Sequence, residues 1–137
     1  MTSSESAVLP PRVIVVMETQ WPRALIRAAL REAGYDAVGT QSLATALRIR
    51  PTEPDRGSVR LVIVDQPALA GDREEARLAA LLTRHEQPAT ILLARPTVRT
   101  STRLWTRVLQ RPVSVEDVVA ASEAILPLAR AEHHPLD

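Results

Sequence analysis

Arg60-Leu61-Val62-Ile63-Val64-Asp65 is the stretch that decides the fold. An unbroken aliphatic run without polar alternation is a strand buried on both faces, and such strands belong to parallel sheets covered by helices. A carboxylate at the exit of that strand stands where open α/β sheets build their sites. The arrangement recurs, since Arg12-Val-Ile-Val-Val-Met-Glu18 runs out into Glu18, and Val108-Leu-Gln-Arg-Pro112 carries a short strand out to Arg111. As parallel neighbours these strands bring Glu18, Asp65 and Arg111 to one carboxyl-terminal rim.

The chain has 137 residues, 45% of them apolar, which suffices for one core and not for two ordinary domains. A polar start running into Pro10-Pro11 marks residues 1–9 as an arm, 10–127 as a single domain and 128–137 as a tail. The absence of cysteine excludes disulfides and thiolate metal sites. No apolar segment follows a basic leader, so we expect neither a signal peptide nor a membrane span, and a cytoplasmic location. Seventeen basic residues against sixteen acidic ones leave a net charge of +1, which argues against nucleic-acid binding. Every basic residue is arginine. Lysine nucleophiles, Schiff bases and phosphate clamps are therefore excluded, and arginine serves wherever a cation is needed.

Along the chain, Trp21-Pro22 opens a helix in which Leu25, Ile26, Ala29, Leu30 and Ala33 recur at helical spacing until Gly34 stops it. Tyr35 to Thr40 reads as a second strand, Ser42 caps a short helix, and Pro51 to Ser58 is a loop. After Asp65, Gly71-Asp72 opens a helix with a Leu78, Leu81 and Leu82 stripe, and Ala89 to Ala94 is the fourth strand. A weakly apolar fourth helix is expected over Val98 to Thr106, followed by a fifth strand at Arg107 to Gln110. Ser114-Val-Glu-Asp117 has the pattern of a capping box before a last helix, which Pro127 ends. Five strand–helix units in this order predict an α/β fold of the flavodoxin-like (βα)5 type: a doubly wound parallel sheet of five strands with helices on both faces, its order reversing beside strand one.

Leu25-Ile-Arg-Ala-Ala-Leu-Arg-Glu-Ala-Gly-Tyr35, Leu61-Val-Ile-Val-Asp65 and Arg111-Pro-Val-Ser-Val-Glu-Asp117, in that order and spacing, resemble the receiver domain of bacterial two-component response regulators. They match its first helix, its phosphoacceptor strand and its lysine-proline turn. The likeness runs from Arg12 to Leu126. In that family the aspartate after strand three takes a phosphoryl group, an acid pair after strand one holds Mg²⁺, a hydroxyl after strand four contacts the phosphoryl group, and the lysine pairs with it. The resemblance thus implies Asp65 as phosphoacceptor, Arg111 in the lysine's place, and an Mg²⁺ site made of Glu18, Asp65 and the backbone carbonyl of Pro67.

The departures carry as much information. The acid pair falls on Met17-Glu18, so one carboxylate is missing and Mg²⁺ binding is expected to be weak. The hydroxyl position falls on Ala94, or on Leu93 in the neighbouring register, and neither donates a hydrogen bond. Val108 replaces the aromatic residue that this family often carries on strand five. Arg111 still offers a fork able to pair with a carboxylate or a phosphoryl group. The reading adopted is a stand-alone pseudo-receiver, in which Arg111 neutralises Asp65 and signalling proceeds by protein contact. The alternative is a working phosphoacceptor, phosphorylated on Asp65 by a histidine kinase. No enzymatic activity is expected beyond phosphoryl acceptance and autodephosphorylation at Asp65. A nucleotide- or flavin-binding domain would need a phosphate loop, which Glu18-Thr-Gln-Trp-Pro22 does not supply.

For the partner surface the resemblance points to the face made by the fourth helix, fifth strand and last helix, with a protein partner or a second copy. Arg99, Arg103 and Arg107 around Trp105 have the makeup of an interface. Trp105 has an opposing reading, in which it folds back into space left by Val108. His133-His134 are adjacent, so their side chains diverge, and no metal site is assigned to them.

Overall fold

The computed structural model describes residues 9–96 and 104–128. The elements are β1 (Arg12–Val16), α1 (Gln20–Glu32), β2 (Asp36–Thr40), α2 (Leu43–Ala46), β3 (Val59–Asp65), α3 (Glu74–Arg84), β4 (Ala89–Ala94), β5 (Arg107–Gln110) and α4 (Val115–Ile125), with a 3-10 turn at Gln66–Leu69. All strand pairings are parallel, and the sheet runs β2-β1-β3-β4-β5. That is the expected order, reversing beside β1.

The central strands are buried on both faces, and their alternate side chains feed two cores. Val13, Val15, Leu61, Ile63, Ile91 and Leu93 meet Ile26 and Leu30 of α1 and Val118 and Ala121 of α4. Ile14, Val16, Val62 and Val64 meet Leu43 and Ala46 of α2 and Leu78, Leu81 and Leu82 of α3 on the other face. A period of two along each strand divides the apolar run between the faces, which is why its sequence shows no alternation.

Local chemistry ends the elements. Ser42 accepts a hydrogen bond from the Thr45 N–H at 3.1 Å, and Ser114 with Asp117 forms the expected capping box. Gly34, at φ 110°, turns the chain out of α1 in a conformation that other residues avoid. The Tyr35 hydroxyl then donates to the Leu126 carbonyl at 2.6 Å, tying the start of β2 to the end of α4.

Three expectations are corrected. Leu25 is 52% exposed instead of joining the core, because Ile26 and Leu30 already face the sheet and its neighbour in sequence is rotated by roughly 100°. The chain after Asp65 makes the 3-10 turn first, and α3 begins only at Glu74. Of the helix expected over Val98 to Thr106, residues 98–103 lie outside the described residues, and Leu104 to Thr106 are not helical. Among the described residues no helix is long and apolar enough to cross a membrane.

Candidate functional site

Asp65 ends β3 at 4% exposure. Its side chain makes no capping bond to the 3-10 turn that follows, so the carboxylate is not spent on local structure. It goes instead to Arg111, whose Nη2 donates to Asp65 Oδ1. Arg111 follows β5, and its own N–H is anchored to the Ala94 carbonyl at 2.9 Å. β4 lies between β3 and β5, so with neighbouring strands roughly 4.8 Å apart the arginine spans about 10 Å across the end of β4. Asp65 pairs in register with Leu93, and Leu93 belongs to the core. The next residue on β4 is Ala94, with a single methyl group, which leaves the path clear. The Arg111–Pro112 peptide bond is cis.

Glu18 leaves β1 at the same rim, since Val16 pairs with Val64. Its side chain is exposed, and among the described residues no ion pair engages it. Two residues absent from the sequence reading complete the rim. Arg23 lies across Gly39 of β2, where an added Cβ would stand 3.2 Å from its Cγ, and donates to the Met17 carbonyl at 2.7 Å. Gln66 accepts the Arg95 N–H at 2.7 Å, occupying the backbone donor that emerges from β4 beside Asp65. Signals for both were present in the sequence. Gln66 adjoins Asp65, and Arg23 sits in the first turn after Glu18.

The donor set does not fit Mg²⁺ as arranged. That ion needs near-octahedral oxygen coordination with carboxylates to offset its charge. Asp65 is held by Arg111, and the Arg23 guanidinium adds a second cation at the Met17 and Glu18 backbone carbonyls. Among the described residues no group of three or more acids or histidines is gathered for a metal.

The interface residues are divided. Arg107 is exposed at the start of β5, whereas Trp105 is half-buried and packs with Leu47, Ile49 and Leu69 against the core beneath α2 and α3. Arg99 and Arg103 lie outside the described residues. Val108 is half-buried on β5, the edge strand.

A doubly wound parallel sheet with an acid and a guanidinium joined at its strand exits is a flavodoxin-like fold of the receiver type. Solved receiver domains of response regulators have this fold along most of the chain. The response regulator receiver protein from Burkholderia phymatum is 20% identical, with 92% of this chain and 99% of that one covered at a TM-score of 0.65. HP1043, an orphan response regulator of H. pylori, is 19% identical over 85% of this chain and 96% of its own, at 0.61. A structure described as adenylate cyclase from Rhodopirellula baltica is 16% identical over 85% of this chain and 87% of that chain, at 0.68. No protein-family model and no curated protein matches. The fold thus recurs under different functional descriptions, and function has to be argued from the site.

Proposed function

We propose that this chain is a receiver-like signalling module of the two-component type that works by contact with other protein chains, with Asp65 closed by Arg111 in place of phosphate chemistry. The Asp65–Arg111 pair carries this reading. In-line phosphoryl transfer depends on groups that neutralise the charge developing around the phosphoryl group. Here Met17 replaces an acid, Ala94 replaces a hydroxyl, and the nearby Arg95 N–H is taken by Gln66.

The output surface is the edge made by β5 and α4. A groove of about 250 Å³ runs there, lined by Leu109, Val113, Ala120 and Ala121 together with Arg107 and Asp117. Arg107 and Asp117 carry opposite charges at this groove, and a two-fold pairing that set each copy's Arg107 against the other's Asp117 would match them, which favours a second copy as the occupant. Arg99 and Arg103 extend the positive charge of Arg107 along the sequence.

Incubation with acetyl phosphate and Mg²⁺, followed by mass spectrometry of the intact protein, is expected to give no stoichiometric adduct. Efficient Mg²⁺-dependent labelling that disappears in Asp65→Asn would overturn the reading and install the phosphoacceptor in its place. For the surface, Arg107→Asp is expected to abolish self-association in sedimentation, and Arg107→Asp with Asp117→Arg to restore it. A monomer at all concentrations in the unaltered protein refutes the second copy.

A further inference from the structure

Two buried side chains at the opposite end of the sheet are unused by the reading above. Arg12, at the start of β1, is fully buried; its Nε donates to the Gly57 carbonyl at 2.6 Å and its Nη2 to the Pro51 carbonyl at 2.8 Å. Its Nη1 is buried without a partner. His85, at the end of α3, is 7% exposed, and neither Nδ1 nor Nε2 has a partner. Among the described residues these are the only buried side-chain nitrogens or oxygens left unpaired. Nearly all such groups in folded proteins are paired, so three orphaned nitrogens close enough for Arg12 to act on His85 call for a partner, a water or a ligand.

His85 lines a cleft of about 420 Å³ together with Arg60, Arg84, Ser58, Pro88 and Leu126. Arg60 and Arg84 are exposed, and the Arg84 Nε donates to the Ile49 carbonyl at 3.0 Å, which fixes that arginine over the loop before β3. Glu86 is the one acid among the lining residues. Asp36, near Arg12, is already paired with Arg56, and Glu53 also lies beside Arg56. Positive charge therefore predominates, with Arg12 behind the wall and Arg60 and Arg84 in it. A bridging water supplies hydrogen bonds but no countercharge.

We infer that this cleft binds a small organic anion, a carboxylate or a phosphate ester, with its charged end at Arg84, Arg60 and His85 and its body against Pro88 and Leu126. The site is independent of the Asp65 rim and of the function proposed for it. Burial lowers the His85 pKa first, and Arg12 and Arg84 push it the same way. An anion among these cations opposes their effect and raises it.

The test is an NMR titration of the full chain with inorganic phosphate and, separately, with succinate at constant ionic strength, following the His85 ring and the Arg84 side chain. Saturable shifts with either anion, together with a rise in the His85 pKa, are expected. Tighter binding of phosphate assigns an ester and tighter binding of succinate a carboxylate. Arg60→Gln with Arg84→Gln, both surface changes, should weaken binding at least tenfold, while Arg111→Gln should leave it unchanged. Shifts that never saturate, that are confined to Arg111, or that leave the His85 pKa in place overturn the inference and leave the orphaned nitrogens to water.

Discussion

The residue that governs the rim is Arg111, because Asp65 is almost closed to water and has no other side-chain partner among the described residues. Removing one member of such a pair strands the other, whereas replacing both by apolar groups is often neutral. We therefore expect Arg111→Met to lower stability by about 2 kcal/mol in urea unfolding, a value kept modest by the partial exposure of the arginine. Asp65→Leu with Arg111→Met should recover most of that loss. Equal losses in the single and double variants would mean that the pair is not what holds the rim. The acid and the guanidinium were legible in the sequence because each ends a strand or follows one. Arg23 and Gln66 were signalled only by their places beside Glu18 and Asp65, because their roles depend on which carbonyl or N–H lies opposite them after folding.

At the scale of elements, α1 and the segment before β5 place their tryptophans in opposite settings. Trp21 is 73% exposed, and with Ala24, Leu25 and Ala28 it forms an apolar stripe facing solvent, while Arg23 and Arg27 turn toward β2 and bond backbone carbonyls. Trp105 is half-buried and packs against the core beneath α2 and α3. Trp21→Ser is accordingly expected to change stability by less than about 0.5 kcal/mol, and Trp105→Ala to lower it by roughly 2 kcal/mol, both read from urea midpoints. The reverse ranking would place Trp105 at the surface, as composition alone suggested. Helical period located α1 correctly but could not say which of its apolar residues face the sheet, since Leu25 and Ile26 are adjacent and only packing against β1 and α4 distinguishes them.

For the whole molecule, pH acts through two groups in separate windows. His85 has its pKa lowered from 6.5, chiefly by burial and further by Arg12 and Arg84. The unfolded chain then binds more protons than the folded one between the lowered value and 6.5, so this part of the stability is complete above 6.5 and is lost as pH falls below it. Asp36 has its pKa lowered from 3.8, chiefly by its hydrogen bond from Arg56, and its contribution is lost only as pH falls below 3.8. Urea midpoints should therefore fall from pH 7 toward pH 5, and His85→Gln should flatten that slope; an unchanged slope in the variant would assign it to other groups. By itself the sequence determined the strand order, the doubly wound class, the capping box at Ser114 and the rim shared by Asp65 and Arg111, because period, caps and strand exits are local properties that parallel topology then brings together. Tertiary structure alone decided that Arg23 and Gln66 complete the rim, that Trp105 turns inward while Leu25 turns out, and that His85 lines a cleft at the far end with Arg12 buried near enough to act on it. Each of these depends on which side chains share a space after folding, and hydrophobic period carries no information about that.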